Sequence, residues 1–165
     1  MAVDTSLIGK PTSNSKVVME RGPISNFAHA IGNTSSIYTS PTAAKAAGFG
    51  DIPAPPTWGF AMENWGKFAE IQPPADQAPS QNVIMQAIGS LMAKGGLILH
   101  GEQEFEYHRP VVVGDVLHGE GRVADIYEKE SNGRTMTFLV TETVWKDDKT
   151  GEPALTARMN LIHRS

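Results

Sequence analysis

Apolar residues recur with two different periods along the chain, and the period changes near residue 98. Before that point, short stretches place apolar residues every three or four positions, which is typical of amphipathic helices. After it, apolar and polar residues alternate, which is typical of β-strands with one buried face. A run of helices followed by a run of strands predicts an α+β fold with one antiparallel sheet. A generic α+β sandwich is the alternative that this pattern leaves open.

Four helices are predicted in the first half of the chain, each with recognisable end signals. Ser40 and Thr57 are the expected N-caps of the second and third helices, and glycines end most of the four. The third helix is almost entirely apolar, with Trp58, Met62 and Trp65 on one side, as expected for a helix at the centre of a fold. The predicted helices cover residues 23–31, 41–47, 57–69 and 82–94, and the Pro-rich stretch 71–80 is predicted to be a loop.

Four strands are predicted in the second half, beginning near residue 99. The first ends at Pro110, and the turn Asn132-Gly133 joins the second, over residues 116–130, to the third. The last strand places Leu155 and Leu161 on one face. On the third strand, the residues predicted to point inward are Met136, Phe138, Val140 and Val144.

Composition limits the functions that are open to this chain. None of its 165 residues is a cysteine, which excludes disulfides, thiolate metal ligands and a cysteine nucleophile. A formal net charge of −4 without a basic block argues against broad nucleic-acid binding. No apolar run reaches transmembrane length, and the first residues lack a secretory-signal pattern. We therefore expect one cytoplasmic domain over residues 1–165, with no metal, no other cofactor and no membrane partner.

The segment from Leu99 to Pro110 contains the densest group of titratable residues. If the strand is regular, its even-numbered members lie on one face, about 6.6 Å apart. We interpret this face as a solvated sheet surface or the rim of a dimer. Two alternatives remain: an acid–base pair of His100 and Glu102, and, less favoured by the spacing, a metal site. The even-numbered residues are His100, Glu102, Glu104, Glu106 and His108.

Four segments of the chain carry a family resemblance: ERGPISNFAHAIG, AAKAAGFGDIPAPPTW, LHGEQEFEYHRPVVVGDVL and LTARMNLIHR. Together they resemble the N-terminal-type domain of MaoC-like dehydratases, over about residues 7–164. Within that family, the chain most resembles the non-catalytic subunit of heterodimeric (3R)-hydroxyacyl-ACP dehydratases. The resemblance implies a hot-dog fold, a long antiparallel sheet curled around one central helix, here residues 57–69. It also implies pairing into dimers or double hot dogs, and acyl thioesters of coenzyme A or acyl carrier protein as ligands.

The catalytic motif of active members of that family is altered here. It has the form G-D-x-N-P-[apolar]-H, followed six residues later by Ala or Ser, and its Asp and His activate the water of the reaction. In this chain the frame runs from Gly32 to Tyr38 and then to Ala44, with Asn33 at the Asp position and Tyr38 at the His position. An amide cannot accept a proton at neutral pH, and a phenol, with an ordinary pKa near 10, is a poor base there.

The second functional element that the resemblance implies is the start of the central helix, whose backbone N–H groups hold the thioester oxygen. A helix N-terminus suits developing negative charge. Here the segment contains two prolines, which carry no N–H, so we expect an altered set of donors. The aromatic residues of this helix are interpreted as the lining of an acyl-chain groove, with plain core packing as the alternative. The predicted substrate-binding residues are Pro56, Thr57, Trp58, Gly59 and Trp65, with Phe60 and Met62 as further lining.

These features predict a thioester-binding subunit that pairs with a catalytic MaoC-like chain. One alternative is a self-sufficient homodimeric hydratase or dehydratase with a displaced site, in which Tyr38, His100 and Glu102, with His108, are the candidates. Another is a thioester-binding regulatory module without catalysis.

Overall fold

A five-stranded antiparallel sheet forms the framework of the protein. The computed structural model describes residues 4–79, 82–131 and 133–164. The strand order is β1-β3-β4-β5-β2, so that β1 and β2 are the two edges. The predicted antiparallel sheet is confirmed. Its strands are β1 (Pro11–Val18), β2 (Leu97–Tyr107), β3 (Val116–Ser131), β4 (Arg134–Asp147) and β5 (Pro153–Arg164).

Four α-helices precede or interrupt the strands. Each overlaps a predicted helix, and the cap at Ser40 is present, where its hydroxyl accepts a hydrogen bond from the N–H of Ala43. Among the helices of the described residues, none combines the length and apolar character needed to cross a membrane. The helices are α1 (Arg21–Ala30), α2 (Pro41–Ala46), α3 (Trp58–Gly66) and α4 (Val83–Met92).

Helix α3 is the central helix, although it is shorter than predicted. Trp58 and Met62 are fully buried against the sheet. The helix ends at Gly66 because its backbone lies directly on β1: a Cβ at this position would be 2.3 Å from the carbonyl oxygen of Val18. Thr57 is the N-cap residue, as predicted, but its side chain makes no capping hydrogen bond.

Strand β1 was not predicted, because its sequence is mostly polar. Only two of its eight residues, Ser15 and Val17, are buried. The strand is recruited by β3, with which it pairs in antiparallel register. The hydroxyl of Ser15 donates a hydrogen bond to the carboxylate of Glu63 on α3, 2.8 Å away. The first half of the chain therefore adds an edge strand to the predicted sheet.

The predicted orientation of β4 is wrong. The residues that face the helices are Thr137, Leu139, Thr141 and Trp145, all of which are buried. The ring of Phe138 lies on the outer face, stacked on Tyr127 with 4.7 Å between the ring centroids. Both faces of β4 carry apolar residues, so alternation alone could not identify the buried face, and the prediction chose the outer one.

Helix α4 covers the part of the sheet that α3 leaves open. Its residues Val83 and Ala87 pack on Val123 and Leu139 of the sheet. Its start, predicted at residue 82, is confirmed, because the side chain of Asn82 accepts a hydrogen bond from the helix backbone. In the hairpin between β3 and β4, the predicted turn residue Asn132 lies outside the described residues.

Candidate functional site

A cavity of about 400 Å³ opens at the start of α3. One wall is the end of β2, and another is the segment before α3. In that segment, Pro53 forms an isolated antiparallel bridge with Val112. The surface of the cavity is mainly apolar. The lining residues are Tyr38, Phe49, Pro53, Ala54, Pro56, Tyr107, His108, Arg109, Pro110 and Val111.

Tyr38, at the position where the family motif has histidine, lines this cavity. It ends a 3-10 turn between α1 and α2 and is 9% exposed. Two side chains of α1 hold the turn in place: the hydroxyl of Ser25 donates to the carbonyl of Tyr38 at 2.7 Å, and the guanidinium of Arg21 donates to the carbonyl of Thr39 at 2.8 Å. The turn that carries Tyr38 is therefore fixed to α1 at two points.

Asn33, at the position where the motif has aspartate, does not line the cavity. Its side-chain oxygen accepts a hydrogen bond from the backbone N–H of Ser35, 3.0 Å away, which is the geometry of an Asx turn. The amide thus stabilises its own loop. The structure brings only one of the two dyad positions into the site.

The phenol of Tyr107 occupies the start of α3. Its hydroxyl donates a hydrogen bond to the carbonyl of Pro56, 2.9 Å away. Burial raises the pKa of Tyr107 from 10.0 to about 12, the backbone N–H of Gly59 opposes this rise, and Tyr38 adds to it. The group is therefore a neutral donor at pH 7, and it takes up space beside the backbone groups that the family resemblance assigned to a thioester oxygen.

Arg109 lies at the rim of the cavity, and two carboxylates neutralise its charge. Its guanidinium binds Asp115 at 2.6 Å and Asp147 at 2.8 Å. The hydrogen bond to Asp115 raises the pKa of Arg109 further. The backbone N–H groups of Thr150 and Lys149 lower the pKa of Asp147, and Arg109 adds to this effect. The rim is thus a rigid ion-pair cluster.

His108 is the histidine of the cavity lining. Its Nε2 is 2.9 Å from the hydroxyl of Thr156 on β5. No carboxylate of the described residues forms an ion pair with it. The imidazole therefore has a hydroxyl partner and lacks the acid that would orient it for proton transfer.

The predicted substrate-binding residues of α3 do not form a single groove. Pro56 lines the cavity, but Trp58 is 1% exposed and belongs to the core, where its ring packs edge-on against Phe27 at 5.2 Å. Thr57 is exposed on the surface. Gly59 lines a different cavity, and its backbone approaches β2 and β5 so closely that a Cβ would meet side chains at 2.9 Å. Trp65 is 59% exposed and lies in a separate groove against α1.

His100 and Glu102 lie on opposite faces of β2, and the predicted common face is wrong. The register with β5 shifts between them, with His100 opposite Leu161 and Glu102 opposite Asn160. The ring of His100 is 5.4 Å from that of Phe60 on α3, so it is on the helix side. Asn160 donates a hydrogen bond to Glu102 on the outer side. A β-bulge at the intervening residue reverses the alternation, and the structure does not bring the two side chains together as a pair.

The remaining glutamates of this segment face solvent. Glu104 and Glu106 are 3.1 Å and 3.6 Å from the guanidinium of Arg158. The same guanidinium binds Glu142 of β4 at 2.7 Å. The outer surface of the sheet is therefore a ladder of exposed ion pairs, as the interpretation as a solvated face requires.

Sequence reasoning missed several members of the site. Tyr107 is one of them, and the signal that could have found it is its place as the last aromatic residue before Pro110 on an alternating strand. Phe49, Pro53 and Val111 come from loops whose positions depend on long-range pairing, for example the hydrogen bond from the N–H of Ala54 to the carbonyl of Val111. No local pattern encodes such a pairing.

Comparisons with known proteins identify the relatives of this chain. A family model described as the FAS1-like dehydratase domain region matches residues 6–157. A UPF0336 protein from Saccharopolyspora erythraea is 32% identical over 167 residues, which is 99% of this chain and 93% of the relative.

Solved structures share the fold at low sequence identity. The ChsH1–ChsH2 complex from Mycobacterium tuberculosis matches with a TM-score of 0.72 and 22% identity, covering 93% of this chain and 83% of that one. The truncated HadBC (3R-hydroxyacyl-ACP dehydratase) complex from the same organism matches with a TM-score of 0.67 and 18% identity, covering 97% and 99%. MaoC-like dehydratases have this fold as well. The predicted hot-dog fold and the predicted resemblance are confirmed.

Proposed function

Since this chain belongs to the FAS1-like dehydratase domain family, we propose that it is the non-catalytic, acyl-thioester-binding half of an enoyl-thioester hydratase or 3-hydroxyacyl dehydratase. The observation that carries the proposal is the cavity at the start of α3. The cavity has the size and lining of a ligand site, and Tyr38 lines it at the position where the family motif has histidine. Asn33, at the aspartate position, instead accepts a hydrogen bond within its own turn.

The size and lining of this cavity suit an acyl group. Its volume of about 400 Å³ falls within the range of small-molecule sites, which are mainly apolar with a few polar groups. Apolar walls from Phe49, Pro53 and Val111 favour an aliphatic chain. Tyr107 is a neutral donor at pH 7, and no carboxylate of the described residues pairs with His108, so we expect bound ligand to persist unchanged.

A partner chain would supply the acid and the base. The two similar structures named above, ChsH1–ChsH2 and HadBC, are both complexes. In this chain β2 is an edge strand that pairs with β5 on one side only among the described residues, and it exposes Leu97 and Leu99 at 47% and 44%. An apolar open edge of this kind favours pairing with another sheet. We infer that the catalytic subunit docks along β2.

Complementation tests this proposal. The chain is mixed with a MaoC-like protein that has an intact G-D-x-N-P-x-H motif, and hydration of crotonyl thioester is measured for each protein alone and for the mixture. We expect negligible hydration by this chain, co-purification of the pair, and a higher rate in the mixture than in the partner alone.

Matched variants locate the docking edge. Leu99→Glu places a charge on β2 and should abolish the gain in rate. Met85→Glu, at an apolar position on α4 that is even more exposed, at 59%, should leave it unchanged. A mixture that neither co-purifies nor exceeds the partner's own rate contradicts the proposal.

One observation favours a second candidate, a self-sufficient enzyme. His108 lines the cavity and is a titratable group that could move a proton there. In this case the isolated chain hydrates the thioester, and His108→Gln lowers the rate at least about tenfold. An isolated chain without turnover eliminates this candidate.

A further inference from the structure

The two edges of the sheet differ in what covers them. Strand β1 pairs with β3 on one side, so along its other side backbone N–H and C=O groups point away from the sheet. Unpaired groups of this kind form a template on which another strand can pair. In this protein the segment between α3 and α4 lies along that side of β1. We call its residues 68–77 the edge strap, which contains two 3-10 turns, Ala69–Ile71 and Ala75–Gln77.

Gln72 of the edge strap closes the middle of β1 with its side-chain amide. The amide oxygen accepts a hydrogen bond from the N–H of Lys16 at 3.0 Å, and the amide nitrogen donates to the carbonyl of Lys16 at 2.9 Å. A neighbouring strand would use the same two backbone groups, so the side chain takes the place of a strand. The amide nitrogen also donates to the carbonyl of Phe68 at 2.8 Å, which fixes the amide to its own segment.

Two further contacts cover β1 on either side of this point. The side-chain nitrogen of Asn14 donates to the carbonyl of Gln77 at 3.0 Å. Gly66, the last residue of α3, lies so close to Val18 that a Cβ would be 2.3 Å from the carbonyl oxygen of Val18. The side of β1 away from β3 is therefore covered from Asn14 to Val18.

The edge strap ends the sheet, because it offers no new edge of its own. Gln72 pairs with β1 through its side chain, and the backbone of the strap does not form a strand beside β1. Pro73 and Pro74 have no N–H to donate, and proline is one of the residues that protect sheet edges. Among the described residues, no side chain pairs with the backbone of β2 in this way, and β5 is its only strand partner.

We propose that the edge strap limits assembly: it closes β1 against strand pairing, so that another chain can extend the sheet only at β2. The partner that it excludes is a second copy of this chain, since two copies of β1 can pair antiparallel about a two-fold axis. Pairing at both edges would build sheets without an end. The use of β2 for pairing rests on the proposed function, whereas the closure of β1 rests on the contacts of Gln72 with Lys16.

Gln72→Met tests the proposal in the full chain, because it keeps the length of the side chain and removes the amide. Gln77→Met is the matched control, since Gln77 contacts β1 through its backbone carbonyl. At low concentration, hydrogen exchange of the Lys16 amide should be at least about fivefold faster in Gln72→Met, as loss of one hydrogen bond implies. Light scattering over a concentration series should show a mass that rises with concentration in Gln72→Met, and no species larger than a dimer in the wild-type protein or the control.

A second substitution distinguishes edge pairing from association caused by unfolding. Lys16→Pro removes the outward N–H that a docking strand needs and leaves the pairing with β3 in place, because that N–H points to Gln72. Added to Gln72→Met, it should return the mass to that of the wild-type protein, although it also removes the ion pair of Lys16 with Asp148. If the NMR spectrum shows that Gln72→Met is not folded, Gln72→Asn, whose amide is one methylene too short to reach Lys16, takes its place.

Three results would overturn the proposal: a wild-type mass of the Gln72 variant at every concentration, equal exchange rates of the Lys16 amide in both proteins, or association that persists after Lys16→Pro. These outcomes do not depend on a catalytic subunit or on a thioester. If complementation fails while Gln72→Met still associates through β1, the proposed function is wrong and the closure of β1 stands.

Discussion

Replacing Tyr107 with phenylalanine removes the hydroxyl that occupies the start of α3 and keeps the ring. The lost hydrogen bond to the carbonyl of Pro56, at 2.9 Å, should lower the free energy of unfolding at pH 7 by about 1 kcal/mol. Pro56 is exposed, so water replaces the lost donor and the cost stays at the low end of the range for buried groups.

The same substitution changes the pH dependence of stability. Because the pKa of Tyr107 rises from 10.0 to about 12 on folding, the folded state retains its proton between these pH values while the unfolded state loses it. The stabilisation is fully present below pH 10 and is lost as the pH rises towards 12. The rise in the pKa of Tyr107 corresponds to at most about 2.7 kcal/mol of stabilisation. Partial exposure of the ring reduces the expected loss of unfolding free energy to about 1–2 kcal/mol.

Urea unfolding at a series of pH values from 7 to about 11.5 measures this effect. The wild-type protein should lose stability above pH 10 more steeply than Tyr107→Phe. The control Tyr127→Phe removes a phenol from the outer face of the sheet and should retain the wild-type slope. Identical slopes for wild type and Tyr107→Phe would refute the assignment of a buried, hydrogen-bonded phenol at this position.

Three further outcomes are expected. Gly66→Ala should destabilise the fold by at least about 2 kcal/mol, because a Cβ there would be 2.3 Å from a carbonyl oxygen of β1. Gly89→Ala, with open space around it on α4, should instead stabilise the fold by about 0.5–1 kcal/mol. Chemical denaturation measures both changes, and equal effects would contradict the packing of α3. The isolated chain of the double variant Asn33→Asp, Tyr38→His should show no crotonyl-thioester hydration, because the side chain at position 33 is engaged in its own turn. A measurable rate would contradict that geometry. Asp147→Asn should lower stability at pH 7 and flatten its decline below pH 4, because the lowered pKa of this carboxyl makes its contribution disappear on protonation. Unfolding curves at acidic pH check this, and an unchanged decline would argue against it.

Elements whose signal is local were predictable from the sequence. The strong alternation of β5, the apolar α3 and the cap at Ser40 each follow from neighbours within a few residues. Strand β1 was missed because a polar edge strand owes its conformation to pairing with β3, more than 100 residues away along the chain.

The site was harder to predict because single-residue irregularities decide it. The bulge between His100 and Glu102 separates two residues that simple alternation places together. A Cβ at Gly101 would be 2.5 Å from the side chain of Ile162, which indicates how closely the bulged strand approaches β5. Such a feature depends on the packing of both strands, and alternation in one of them cannot reveal it.

The aromatic residues of α3 show a related ambiguity. Trp58 and Trp65 have the same chemistry and lie on the same short helix, yet one is 1% exposed and the other 59%. Their spacing of seven residues puts them on nearly the same side, yet Trp58 packs into the core against Phe27, whereas Trp65 lies in an open groove beside α1. The sequence pattern describes the helix, whereas the tertiary structure decides which aromatic residue lines a surface.

The central claim is that the chain binds an acyl thioester and does not turn it over. The most direct measurement combines isothermal titration of the isolated chain with crotonyl-CoA and analysis of the same solution for 3-hydroxybutyryl-CoA. The account predicts saturable heat and no product beyond the uncatalysed rate. Multiple turnovers by the isolated chain, or the absence of any binding heat, would contradict it.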